Sequence, residues 1–271
     1  MLGKVSAVRQ YPLEFLAFAG PRKGDTCWIP ARQFEEAFES KLQAMSSPPR
    51  SWMARRIENA LREGFARAYE TMRVDPDRYL FHLRTAHELP IATFRGMATL
   101  PIETVDEVAE QTIRAGMKIA AAEGAGLGLG GLMTVVPDLS ILAVITFRML
   151  QKLSLIYGFE FNTDEEVAEL WMAAASAAGV DIGREVLEKE VVERFVPRVI
   201  RAIAVQASGE IVEKWTGRLI PLVSSAIGAG LNYYFVRAWG ERAQQHFRTK
   251  HLRLREQLQL EESHAPTLPG E

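Results

Sequence analysis

Residues 119–147 read IAAAEGAGLGLGGLMTVVPDLSILAVITF. The stretch is almost continuously apolar, its first half is packed with glycine, and one acid, Asp138, follows Pro137 inside it. An interior helical glycine costs about 0.5–1 kcal/mol relative to alanine, so this many point to close helix contact or to a lipid setting. Pro137-Asp138 divides the run. Asp138 fits the N-cap of a second helix over 139–157, where its carboxylate would accept backbone N–H bonds and complement the helix dipole. Gly158 suits the position just past that helix's C-terminus.

Outward from this stretch the chain is helical almost throughout. Met53, Ile57, Leu61, Phe65 and Tyr69 recur at helical spacing across 51–73, opposite Arg55, Arg56, Arg62 and Arg67. That pattern suits a core-facing helix with a solvated face, or a basic face against an anionic membrane. Thr104 with Glu107 and Thr163 with Glu166 have capping-box spacing and mark helix starts. Residues 182–214 read as helix interrupted at Pro197, with further helices at 218–237 and 238–260. Only LEFLAFAGPRKGDTCWIP, near the N-terminus, suggests short extended runs about a turn. The reading is an all-α multi-helix bundle around a Gly-rich apolar helical hairpin. It divides into an N-terminal appendage at 1–49, a helical domain at 50–260 and a polar, disordered tail at 261–271.

With 32 Lys and Arg against 34 Asp and Glu, the net charge is −2, which gives no footprint for nucleic acid. The one cysteine, Cys27, precludes an intramolecular disulfide and suits a reducing compartment. No secretory signal is evident, and Met1-Leu2 does not fit the myristoylation pattern. The expected location is the cytoplasm, peripheral to the inner face of the cell membrane.

Two stretches bear on the membrane. Residues 125–147 hold eleven Leu, Ile, Val or Phe. These favour insertion by roughly 5 kcal/mol, of which a central Asp removes about 2.5–3.5. Residues 219–236 carry eight such residues and no charge, but also Pro221, Ser224, Ser225 and Asn232. Three readings stay open: the buried centre of a helical domain, a hairpin dipping into one leaflet, or true spans.

Catalytic patterns are weak. Gly126-x-Gly128-x-x-Gly131 matches the dinucleotide fingerprint, but a helix stands where the motif needs a strand. His82 and His87, like His246 and His251, are five apart, not the four that would align two imidazoles on one helical face. No metal site, cofactor or catalytic residue is expected. Polar groups inside apolar sequence remain: Glu123, Asp138, Arg148 and Asn232. Buried charge must be paired, so a carboxylate against Arg148 is expected. The set also forms a candidate polar core for a ligand or head group.

These residues resemble the EcsC family. Its pattern of an acid-Gly-Ala opening, a glycine-rich run, Pro-Asp, a long apolar helix and Tyr-Gly matches Glu123-Gly124-Ala125, Gly126 through Gly130 and Gly131, Pro137-Asp138, and Tyr157-Gly158. A second block carries Pro221, Gly228, Gly230, Asn232 and the Ala243 to Arg248 region. The resemblance covers about residues 95–255. It implies a bacterial, hydrophobic helical protein at or near a membrane, in a family named from a gene neighbour of an ABC transporter linked to protein export, and it brings no catalytic residues. The expected function is a non-enzymatic, membrane-associated accessory or interaction protein whose partner is a membrane surface, a lipid or a membrane protein. The alternatives are a soluble helical carrier of a lipid or apolar ligand, and a hydrolase using Glu123 or Asp138.

Overall fold

The computed structural model describes residues 15–19, 26–30, 52–71, 73–127, 132–182, 192–216 and 225–264, with the strands and several helix ends in backbone only. Strands β1 (Phe15–Ala19) and β2 (Thr26–Pro30) pair antiparallel; the expected Gly/Pro/Lys turn between them lies outside the described residues. The helices are α1 (Trp52–Thr71), α2 (Pro76–Ala86), α3 (Ile102–Leu127), α4 (Leu132–Ile156), α5 (Asp164–Ala177), α6 (Val192–Thr216) and α7 (Ser225–His264). The fold is an all-α bundle. A 3-10 turn at Phe94–Thr99 leads into α3.

Neighbouring side chains set the helix directions. Asp106, Ile113 and Gly116 of α3 meet Arg248, Gly240 and Val236 of α7, so these helices run antiparallel over most of α3. Asp106 and Gly116 also meet Tyr157 and Met149, so α4 runs antiparallel to α3. Helix α1 runs parallel to α4. The Ser140 hydroxyl donates to the Ala60 carbonyl at 2.9 Å, and the Val74 amide donates to Gln151 Oε1 at 2.9 Å. The C-terminus of α3 and the N-termini of α4 and α7 therefore share one end of the bundle, the glycine pole. Tyr157 and Gly158 lie at the other.

An aromatic stack fills the middle. Trp171 lies 4.3 Å from Phe147, and Trp239 lies 4.9 Å from Phe235 and 5.6 Å from Phe65 between ring centroids. Both indoles are buried, and each such contact adds about 0.5–1.5 kcal/mol beyond area burial. Around them α4 supplies Leu139–Ile156, a segment with mean hydropathy 1.6 that is long and apolar enough to cross a membrane but has 67% of its residues buried inside the protein. Its apolar character is largely spent on the bundle core.

Several local expectations shift. Helix α4 begins at Leu132, so Pro137-Asp138 lies in its second turn and Asp138 is no N-cap. The connection to α3 falls at 128–131, outside the described residues. Pro137 and Pro197 are each the sixth residue of a helix. A proline there removes one early backbone bond without ending the helix, and α6 runs through Pro197 unbroken. Helix α7 likewise continues through Gly240 as one element of 40 residues. The Thr104–Glu107 box is absent because α3 already starts at Ile102, and Glu107 accepts from Gln111 instead. The Thr163–Glu166 box forms in full. Gly158 takes φ +86°, the left-handed value that favours glycine after a helix. Helix α7 runs on to His264, so 261–264 of the expected disordered tail are helical, and the rest of the tail lies outside the described residues.

Candidate functional site

Two of the four residues predicted for a polar core are exposed. Glu123, near the end of α3, and Arg148, on α4, are both exposed, and among the described residues no ion pair joins them. Asn232 is buried on α7. The Asp138 side chain lies outside the described residues. Of the glycines, Gly124 is buried within α3, Gly126 closes that helix, and Gly228 and Gly230 fall in the first turns of α7. Gly128, Gly130, Gly131 and Pro221 lie outside the described residues. A Cβ on Gly230 would meet nothing within 4 Å. Close helix approach occurs elsewhere, at Gly64, Gly116 and Gly240.

The pole opposite the glycines holds a polar junction that the sequence did not announce. Tyr157, fully buried just past α4, donates its hydroxyl to Asp106 Oδ1 of α3 at 2.7 Å. The other carboxylate oxygen of Asp106 accepts from Arg248 Nε of α7 at 2.8 Å. One turn on, His251 of α7 places Nδ1 2.9 Å from the Tyr157 carbonyl, and its ring stands edge-on to the Tyr157 ring at 5.8 Å. One carboxylate thus joins α3, the α4 terminus and α7. Burial raises the Tyr157 pKa, and its bond to Asp106 adds to the rise. The bond to Asp106 is the main cause that raises the pKa of Arg248. The tyrosine stays a neutral donor, and the arrangement fastens three helices together.

His251 is the junction's titratable element. A carbonyl only accepts, so Nδ1 carries the hydrogen. Nε2 is then an acceptor, buried and without a hydrogen-bond partner among the described residues. Burial lowers its pKa, opposed by the Tyr157 carbonyl, and Arg255 lowers it further. The unfolded chain therefore takes up a proton at a higher pH than the folded one. The stability His251 contributes is complete above about pH 6.5 and is lost as the pH falls from there toward the lowered folded value. Thermal melts are expected to show a decline of up to about 1.4 kcal/mol per pH unit below that point. His251→Asn retains a donor for the Tyr157 carbonyl and should flatten this window. An equal slope in wild type and variant would remove His251 as the cause. His87 shifts in the same direction, but it is partly exposed beside His82 and contributes less.

Among the described residues no group of three His, Cys, Asp or Glu side chains could hold a metal. His82 and His87 meet edge-on at 5.6 Å. Cys27 lies in β2, opposite Phe18.

Comparison with known proteins places this geometry in a family. No solved structure matches the chain. Protein EcsC of Bacillus subtilis (strain 168) is 26% identical over 226 residues, covering 81% of this chain and 94% of that protein. The profile of the EcsC protein family matches residues 30–252, reaching further toward the N-terminus than the two motif blocks, from the last residue of β2 through all of α1 to α6 and most of α7. The chain belongs to the EcsC protein family.

Proposed function

We propose that this chain is a peripheral membrane-associated accessory protein that docks on a bilayer through its glycine pole. The carrying observation is the placement of exposed apolar side chains. Ile119 is 54% exposed, Ile141 37%, Tyr233 42% and Tyr234 51%. All four lie in the half of the bundle nearest that pole, by the pairing of α3 with α4 and α7. Tyrosines suit the level of the lipid head groups, and isoleucines suit the acyl boundary. The sequence joining α3 to α4 is apolar and glycine-containing, and that joining α6 to α7 is apolar and proline-containing apart from Arg218 and Ser224. Among the other exposed large apolar side chains, Phe81 stands on α2, while Leu258 and Leu260 stand at the far end of α7.

The test is flotation with vesicles of phosphatidylcholine and phosphatidylglycerol. Wild type is expected to float. Ile119→Glu combined with Tyr233→Glu replaces two exposed side chains and leaves the core intact. Withdrawing two apolar side chains from the interface weakens partitioning about tenfold or more. Wild-type protein that stays in the soluble fraction, or a variant that floats equally well, would overturn the reading.

A further inference from the structure

Towards the polar end of α7, Arg242, His246, Lys250 and Arg253 follow at spacings of four, four and three residues, and so share one face of the helix. With Ser176 of α5 and Gln245 they line an open groove of about 420 Å³. Two of the cations are fixed by the fold. Arg242 Nη1 donates to the Ala177 carbonyl at the end of α5, 3.0 Å away, and lies 3.7 Å from Glu210. Lys250 Nζ sits 2.8 Å from Glu169 Oε2 and 4.5 Å over the Phe159 ring. Neither contact uses all the donors, since a guanidinium has five N–H groups and an ammonium three. Arg253 is exposed and makes no ion pair with a described residue. Three permanent cations therefore face two carboxylates, and the excess sits at the Lys250–Arg253 end.

We propose that this groove binds a small phosphate-bearing anion, with its phosphate between Lys250 and Arg253. These residues are one turn apart, about 4.5 Å along the axis. A tetrahedral dianion presents oxygens to both at once, where a planar carboxylate serves one fork. Its double charge also competes with Glu169 for the remaining Lys250 donors. Gln245 and Ser176 line the groove toward its Arg242 end. From Ser225 to Arg253 the helix advances about 42 Å, so a bilayer at the glycine pole does not reach the groove. The inference stands apart from the membrane reading.

The phosphate has two sources, a soluble ester or a lipid head group. Isothermal titration of the full chain with inorganic phosphate and with glycerol 3-phosphate, against sodium chloride at matched ionic strength, is expected to show saturable binding. Arg253→Ala removes an exposed side chain without a described ion-pair partner and should raise Kd about tenfold through lost charge-assisted hydrogen bonds. Arg237→Ala alters an exposed cation on α7 outside the groove, paired with Glu241, and should leave Kd unchanged. Vesicles containing phosphatidic acid separate the sources. Binding abolished by Arg253→Ala and competed by free phosphate assigns the head group. Saturable binding of the free esters without such vesicle binding assigns a soluble ligand. No saturation beyond the chloride control, or equal weakening by both variants, would overturn the site and leave a solvated basic face.

Discussion

Gly64→Ala is expected to destabilise the protein by about 3 kcal/mol or more, and Gly64→Val to abolish folding. Helix α1 crosses α4 at this residue. A Cβ on Gly64 would lie 2.5 Å from the Ser140 carbonyl oxygen, 2.8 Å from Ser140 Cα and 2.7 Å from Ala143 Cβ. Two of these are backbone atoms of a buried helix, so relief requires moving α4 away from α1. That shift would break the Ser140-to-Ala60 bond beside it and loosen the contacts of Leu142 and Phe147. Overpacking a tight core costs about 1–3 kcal/mol even where side chains can yield, and the helix-propensity gain of alanine returns only about 0.5–1. Two other glycines calibrate the effect. At Gly240 the neighbours are Ile113 side-chain atoms at 2.8–3.3 Å, which can give slightly, so alanine there should cost less. At Gly230 the space is open, so alanine should stabilise by about 0.5–1 kcal/mol. Denaturant unfolding of the three variants measures the order. A Gly64→Ala protein as stable as Gly230→Ala would show that α1 and α4 are not in that contact.

This contrast marks what the sequence could show. Patterns whose partners lie within a few residues were legible. The Thr163–Glu166 box, the left-handed Gly158 and the amphipathic face of α1 follow from local geometry. The same rules misled where a helix start was displaced: Pro137-Asp138 has the form of a helix beginning, yet α4 had already run five residues. A proline early in a helix removes one bond and leaves the others intact, so local pattern alone does not separate the two cases. Glycine density was a poor guide to glycine function, because close approach depends on which helix crosses there. Gly64 sits in an unremarkable charged helix and carries the tightest contact. The exposure of Glu123 and Arg148 has a related reason. Glu123 and Arg148 interrupt apolar sequence, but a helix rotates each residue by about 100° from the last, and both fall on the solvent side. The residues that do form a polar junction are 51 and 142 positions apart in their pairings. Of them only Tyr157 and the region ending at Arg248 stood out, as motif positions.

The junction carries the second large effect. Asp106→Ala is expected to cost about 2–3 kcal/mol, lowering Tm by about 5–10 °C for a chain of this size. The Arg248–Asp106 ion pair contributes the lesser part. Their side chains are 43% and 23% exposed, so solvent screens the attraction. The larger part comes from Tyr157, whose fully buried hydroxyl loses its 2.7 Å acceptor and with it about 1–3 kcal/mol. Asp106→Asn keeps one acceptor oxygen, for Tyr157, and sets an amide NH2 where Arg248 had an acceptor, so it should lose the ion pair but less stability than Asp106→Ala. Tyr157→Phe in the Asp106→Ala background removes the hydroxyl that has lost this acceptor and should recover stability relative to Asp106→Ala alone, because deleting both partners of a buried bond is milder than deleting one. A double-mutant cycle by thermal or denaturant unfolding measures this coupling. Additive losses would mean that Asp106 and Tyr157 act separately and that α3, α4 and α7 are held together by apolar packing alone. A coupling above about 1 kcal/mol would establish the carboxylate as the common fastening of the three helices at the pole farthest from the glycines.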